Sequence, residues 1–598
     1  KYKAACFLIE NMLYHYTVEG KTLSAYYEAI DSINRNIPDP EACKPAYELL
    51  YKQLGSPNAG TNIKLDVQHI SAQYLISHID HACRHWQEGK WAKHLSFSDF
   101  CEYLLPYCFG NENREAWRES IEAEYLPVIA WMDFEDDRKN STYWAALFLN
   151  DQIKKRGFHI HDVFASSPID HPASLLANMK MGSCKDYAQW AVYVMRACGL
   201  PVCMDYTPQW PFRSHGHDWN VLLDNNGKEV PFMGGESNPG YPNKPGYKMA
   251  KAFRRTYAYQ RGSLFDKKGN EAIPSAFNTP FTKDVSSHYF EGVDITLPIN
   301  KAKDIQTRFA YLAVFDNQHW IPIHWAEIQR NGQVQFTNMG RDIVYLPVLY
   351  AGGSLIPAGY PALASVDGKV HSLIPDSTQH QRLALRRKFP VFSGVAYYSS
   401  RMENGRFEAS DYPDFRTVAT AGTITRNPQM CYDSVHTQLA RPYRYWRYVS
   451  PENGYCNVAE IEFYSGNTRI ETTGKILTNS SHLGNNRKEH AFDGDGLTFF
   501  DSADGSNSWI GMDFGQSMQV DWIRYLPRND DNNITPGDHY ELLYYAAAGW
   551  QSLGQVTAES DSLVYTNVPV GGLYLLKNHT RGKEERIFTY ENGKQIWW

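Results

Sequence analysis

The sequence predicts a multi-domain α+β chain, helical in its N-terminal part and all-β in its C-terminal part. Three observations carry this reading. First, 598 residues exceed what one hydrophobic core serves, and at roughly 100–200 residues per domain they divide into about three to five domains. Second, from Lys1 to about Asp170 apolar residues recur at helical spacing. Third, after about His288 the chain turns to short runs rich in β-branched and aromatic residues. VDITLPI, RFAYLAVF, HWIPIHWAEI, VQFTNM and IVYLPVLY are separated by turns such as DNQ and NGQ, the pattern of sandwich strands.

Composition narrows the classes of function. Hydrophobic residues make up 43% and charged residues 21%, which excludes a mainly disordered chain. The net charge of −7 is spread out, with no long basic run, so charge does not point to nucleic acid. No apolar run approaches the ~18 residues of a membrane-spanning helix, so no transmembrane segment is expected. No charged stretch followed by an apolar one opens the chain at Lys1, so the expectation is that either no signal peptide existed or it was removed. Aromatics reach 14%, with 40 Tyr and 16 Trp, side chains suited both to packing sandwiches and to stacking on ligands.

The ten cysteines show no disulfide-framework spacing. Eight precede position 204, and Cys431 and Cys456 follow; a pair such as Cys198/Cys203 stays open.

Within the helical part, Pro45–Leu54 is apolar at helical spacing and stops at Gly55. Ser96 and Asp99 open SFSDFCEYLL as a capping box, and Pro106 ends it. Asn140–Gly157 reads as a helix closed by glycine. In LISHIDHACRHW, His78, His81 and His85 share one helix face, as metal ligands do. No second ligand group is recognisable in the sequence, and the preferred reading is a polar stripe on a surface helix. There is no H-E-x-x-H, no phosphate-binding loop and no dinucleotide fingerprint.

The segment Met181–Gly240 carries the chemistry. GSCKDYAQWAVYVMRACGLP reads as a helix capped by Ser183 with Asp186 three residues on, and closed by Gly199 and Pro201. Its first residue is Cys184, where free N–H groups and the positive end of the helix dipole favour a thiolate, the nucleophile of acyl transfer. Residues 217–223 read as a strand, followed by Asn226-Gly227 as a two-residue type I′ hairpin loop. That register places Leu223 opposite Val230, Val221 opposite Phe232 and His217 opposite Glu236. Glu236 would then orient His217, and His217 would take the Cys184 proton.

GSCKDYAQW followed by GHDWNVLL resembles the transglutaminase-like superfamily of papain-type cysteine acyl-transfer enzymes. The resemblance implies a catalytic pair, Cys184 and His217, and an Asp on the next strand. At that place this chain has Phe232 and Met233, so Glu236 stands in by register, with Asp218 and Asp224 as runners-up. No cofactor is expected for catalysis.

AFDGDGLTFFDS, WIGMDFG and WIRYLP resemble the discoidin, or coagulation factor 5/8 type C, family of β-sandwich jelly rolls. YRYWRYVSPENGYCNVAEIEFY resembles the closing strands of the same family, and it comes first in the chain. Two modules are therefore expected, a partial one and a fuller one. The resemblance implies Ca²⁺ at Asp493, Asp495 and Thr498, in a tight turn able to supply hard oxygens. Phe499, Phe500 and Trp509 are candidates for stacking on sugar, and Arg528, Asn529 and Asp530 for hydrogen-bonding it.

The expected fold class is thus a multi-domain α+β protein: a helical N-terminal region with a papain-like transglutaminase core, then all-β sandwich and jelly-roll modules. The expected boundaries are 1–170 for the helical region, 171–287 for the core, 288–375 for a β-sandwich, and 376–465 and 466–598 for the two discoidin-like modules. The expected function is that of an exported bacterial cysteine peptidase, amidase or acyltransferase. It would act on peptide, protein or glycoprotein and be held on glycan by its C-terminal modules. The alternative is a non-catalytic glycan- or cell-surface-binding protein on a degenerate scaffold.

Overall fold

The computed structural model describes residues 1–136, 138–160, 169–240, 247–300, 305–582 and 584–598. The expected boundary near 170 falls beside residues 161–168, which lie outside this set. The described chain is a mixed α/β, multi-domain protein whose C-terminal half is mostly strands. It divides into two compact units. Lys1–Ile374, with Ala546–Gly549 and Trp598, forms the first; Pro375–Tyr545 and Trp550–Trp597 form the second.

In the first unit the expected helices form with shifted ends. The helix expected from Pro45 starts at Pro40 and runs to Leu54, with Pro45 inside its first turns. Phe97–Tyr103 is capped by Ser96, whose Oγ accepts from the Asp99 N–H. Thr142–Lys154 is capped by Ser141 and followed by Gly157 at φ +62°. Three further helices matter for function: α1 (Ala72–Glu88), α2 (Arg118–Ala130) and α3 (Cys184–Ala197).

Every residue of α3 from Asp186 to Ala197 is buried. It lies on a five-stranded antiparallel sheet of β1 (Val202–Thr207), β2 (His217–Leu223), β3 (Glu229–Phe232), β4 (Phe253–Arg255) and β5 (Thr282–Asp284), in the order β3-β2-β1-β4-β5. Strand alternation separates two cores. Val202, Met204, Leu222 and Phe232 pack with α3 and with the helices around Tyr125 and Leu149. Cys203, Trp219, Val221 and Leu223 pack on the other side against Ile79, Ala82, Phe100 and Leu104. The N-terminal helices therefore share both cores with the sheet, and no core boundary falls at 170.

The hairpin register differs from the expected one by a residue. Leu223 pairs with Glu229, Leu222 with Val230 and Asn220 with Phe232. A type I′ loop needs positive φ at both central residues, and Asn226 is not among the positive-φ residues. Instead Asp224 N–H donates to Lys228 O at 2.9 Å, and Gly227 alone turns left-handed at φ +75°. The loop thus has three residues. Asn225 is held elsewhere: its Oδ1 accepts from the Thr142 N–H at 2.8 Å.

Residues 293–300 and 305–372 form a β-sandwich. Val293–Pro298 pairs with Gln333–Met339, and Phe309–Phe315 lies between Trp320–Glu327 and Ile343–Ala351 in the second sheet. Its core includes Ile295, Leu312, Val334, Phe336 and Tyr345.

The second unit corrects the expectation of two modules divided at 465. Four of its strands are β6 (Tyr443–Val449), β7 (Asn457–Ser465), β8 (Trp509–Met518) and β9 (Trp522–Pro527). β6 pairs with β8, and β7 with β9. Strands on both sides of 465 thus fill one sandwich around Trp446, Tyr448, Ile461, Phe463, Ile510, Ile523 and Tyr525. A separate β core follows. In it Asp376–Leu385 pairs with Leu563–Val570, and Leu383 and Leu385 pack with Tyr540, Leu542, Tyr574 and Phe588.

Candidate functional site

A cavity of about 980 Å³ lies in the first unit, and Cys184, His217, Asp218, Glu236, Arg213 and Asp170 are part of its wall. Cys184 reaches it as the first residue of α3. The helix start is fixed by a full capping box: Asp186 N–H donates to Ser183 Oγ at 3.3 Å, and Ser183 N–H donates to Asp186 Oδ2 at 2.7 Å. The other Asp186 oxygen lies 2.7 Å from Nδ1 of buried His171. Burial opposes ionisation of Asp186, but His171 and the Ser183 donors outweigh it and hold the carboxyl below the usual range. His171 was not singled out in the sequence, and its only signal is a lone His ahead of a helix start.

The electrostatics differ from the thiolate expected at a helix N-terminus. Burial pushes the Cys184 thiol up to about 12, and the carboxylates of Asp218, Asp186 and Glu236 add to it. A hydrogen bond from the Asp218 backbone opposes them without winning. Burial likewise pulls the His217 imidazole down to about 4, with Asp218 resisting. Both groups are neutral at pH 7.

Among the described residues no hydrogen bond joins Cys184, His217 and Glu236. The His217 ring neighbours those of Trp210 and Trp219, with centroids 6.1 and 6.0 Å away. Glu236 does not lie opposite His217. β3 ends at Phe232, and the chain folds into a tight turn in which Met233 bridges Ser237 and Glu236 N–H donates to Met233 O at 3.0 Å. Gly234 and Gly235 permit this turn. A Cβ on Gly234 would meet Ala191 Cβ at 2.4 Å, and Gly235 has φ +73°. Of the runners-up, Asp218 is ion-paired with Arg255 at 3.1 Å, and Asp224 organises the hairpin loop.

In the second unit the segment Asp493–Thr498 forms a compact turn. Asp495 N–H donates to Asp493 Oδ1 at 3.0 Å, and the Thr498 hydroxyl donates to Asp493 Oδ2 at 2.8 Å. Asp495 Oδ1 accepts from Leu497 N–H at 2.9 Å. The sequence reading missed Glu460 on β7, more than thirty residues earlier. Its Oε1 accepts from Gly494 N–H at 2.6 Å, and its Oε2 is buried without a partner. Burial pushes this carboxyl up to about 8, helped by the neighbouring Asp493 carboxylate.

Of the expected sugar contacts, Phe500 is only 1% exposed and packs in the sandwich core, so its ring has no free face for a sugar. Trp509 is half-buried, with Phe415 5.2 Å from its ring and the Arg447 guanidinium over it. Arg528 pairs with Asp501 at 2.8 Å and lies over the Tyr398 and Phe499 rings. Asn529 braces the turn, its Nδ2 donating to Gly496 O at 2.8 Å. Asp530 is ion-paired with Arg387 at 2.6 Å.

Residues 476–574 match the family model of the F5/8 type C domain. No curated protein matches the chain. The match takes in β8, β9 and the Asp493 turn, while β6, β7 and Glu460, which complete this sandwich, precede it in the chain. All ten cysteines are free thiols, Cys198 and Cys203 included. Among the described residues no helix is long and apolar enough to cross a membrane.

Proposed function

We propose that the chain is a glycan- or cell-surface-binding protein whose second unit makes the attachment. One observation carries this reading: the segment matching the F5/8 type C domain holds a turn in which Asp493 faces the buried, half-partnered carboxyl of Glu460. An orphaned buried carboxylate oxygen is costly unless a cation or proton answers it. Ca²⁺ takes six to eight hard oxygens, and Glu460, Asp493, Thr498 and nearby backbone carbonyls are oxygens of that kind. In this reading Ca²⁺ would hold the turn rigid and replace the proton on Glu460. Asp495 shapes the turn through Leu497. A chain of this role works outside the cell, which is the basis for proposing export. A glycan array probed with the full chain, with Ca²⁺ and with chelator, tests the reading. Retention of a defined glycan class supports it, and no retention under either condition removes it.

A second reading rests on a separate observation: Cys184 and His217 share the wall of one large cavity. In this reading the first unit is a cysteine-dependent amide hydrolase or acyltransferase acting on peptide, protein or glycoprotein. The neutral His217 imidazole takes the thiol proton as Cys184 Sγ bonds to the amide carbonyl carbon. The amine leaves with that proton, and water or a second amine then releases the thioester. The resting geometry favours the first reading, because the thiol is neutral and unpaired with His217. Acylation of Cys184 by an activated ester probe, lost in His217→Ala, would establish the second reading. Absence of any Cys184 adduct with such probes would leave the cavity a binding site.

A further inference from the structure

Away from the cavity, α1 and α2 bring two histidines and a glutamate together. His81 and His85 lie one turn apart on α1, and Glu122 faces them from α2. Nε2 of His81 is 2.9 Å from Glu122 Oε2, and Nε2 of His85 is 2.9 Å from Glu122 Oε1. The potential ligand atoms all lie within 4.8 Å of one another. The side chains of His81, His85 and Glu122 are 4%, 8% and 12% exposed, so water does not compete freely for these atoms. This corrects the reading of the histidine face as a polar surface stripe. It also supplies the ligand group the sequence did not show, since Glu122 lies on a different helix.

We propose that His81, His85 and Glu122 form a binding site for a divalent transition metal, with Zn²⁺ the best match. Two imidazoles and one carboxylate suit Zn²⁺, and a tetrahedral ion about 2.0–2.2 Å from each ligand needs donor atoms roughly 3.3–3.6 Å apart. The two 2.9 Å contacts are to different Glu122 oxygens, and the donor atoms span up to 4.8 Å, so an ion would have to draw the farther donors together by about an ångström. The surroundings define which groups belong. Arg84 donates to Glu122 Oε2 at 2.6 Å, a charged partner outside the ligand set that orients the carboxylate. His78 stands apart, because its Nδ1 accepts from Arg118 Nε at 3.1 Å. In the ion-free site His81 Nε2 donates to the Glu122 carboxylate, and His81 Nδ1 is buried without a hydrogen-bond partner; an ion on Nε2 would shift the ring proton to Nδ1. Gly199, at the end of α3, presses on the His85 ring; a Cβ there would meet Nδ1 at 2.4 Å. An ion would therefore tie α1 to α2 at a point that α3 also touches. With three protein ligands, the fourth position of an ion there would be left to water.

The test uses the full chain, stripped by chelator and dialysed, then titrated with Zn²⁺ alone. Expected is one tightly bound equivalent per chain, a rise in the thermal midpoint with Zn²⁺ concentration, and with Co²⁺ the intense visible absorption of a four-coordinate site. His81→Gln and His85→Gln should each weaken binding at least tenfold, and Glu122→Gln likewise. His78→Gln should leave binding unchanged. Should Glu122→Gln not fold, the two histidine variants and the Co²⁺ spectrum of the unaltered chain decide alone. No stoichiometric Zn²⁺ binding, or binding that survives His81→Gln and His85→Gln, overturns the proposal and leaves a metal-free hydrogen-bonded network.

Discussion

Glu460 and Asp493 set two carboxyl groups against each other beneath one backbone turn. Gly494 N–H donates to Glu460 Oε1 at 2.6 Å, while Glu460 Oε2 is buried without a partner. Burial first, and the Asp493 carboxylate second, push Glu460 up to about 8. The pairing joins a strand, β7, to a loop that begins thirty-three residues later in number.

A pH-dependent stability follows. An acid whose folded pKa is raised binds more protons folded than unfolded, so its contribution to stability is fully present below the unfolded value near 4.5. It is lost as pH rises through about 8. In chelator, the thermal midpoint of the second unit is expected to fall between pH 5.5 and about 8.5. Ca²⁺ should restore it most at the alkaline end and release a proton on binding. Glu460→Gln should flatten both dependences. A Ca²⁺ effect independent of pH would count against the pairing as the site.

Phe500 tests core against platform. Phe500→Ala should destabilise the second unit by about 3–5 kcal/mol, read as a lower urea midpoint, because it empties a buried site. Tyr397→Ala, at a position 57% exposed, should change stability by no more than about 0.5 kcal/mol. A stable Phe500→Ala protein that had merely lost glycan binding would reverse the assignment.

The start of α3 offers a local test. Ser183→Ala removes one cap and should cost about 1 kcal/mol. Asp186→Ala removes the cap and also strands buried His171, so it should cost more, on the order of 3 kcal/mol. Equal losses from the two variants would mean that the His171 contact adds nothing.

What could be read from the sequence was local. The capping box of Ser183 and Asp186, the Ser96 cap and the stop at Gly199 each involve residues three or four apart, and all formed. What could not be read depended on distant partners. The hairpin loop took three residues because Asn225 was already committed to Thr142, far back in the chain. Glu236 left the expected register because the two glycines let the chain turn against α3. Glu122 and Glu460 each sit tens of residues from the groups they face, so no spacing announces them. The strands before 465 look like the end of one module, yet pairing of β6 with β8 makes them part of the sandwich that follows.

The Cys184 thiol gives the most direct reading of the first unit. A free cysteine ionises near 8.5, whereas burial and the Asp218, Asp186 and Glu236 carboxylates push this one up to about 12. The thiolate is the reactive form, so at pH 7.5 alkylation by iodoacetamide should be about a thousandfold slower than for an ordinary exposed cysteine. The rate should keep rising with pH beyond 9.5, where an ordinary thiol has levelled off. Asp218→Asn removes the strongest of the three charges and should speed alkylation several-fold. Glu236→Gln should act in the same direction and more weakly, since its influence comes last of the three. His217→Ala should leave the resting rate unchanged, because no hydrogen bond links the ring to the thiol. Mass-spectrometric mapping of the alkylated peptide, pH by pH, reads Cys184 apart from the other nine cysteines. Fast alkylation at neutral pH that collapses in His217→Ala would instead show an ion-paired thiolate, and the cavity would then have to be read as a working cysteine nucleophile site.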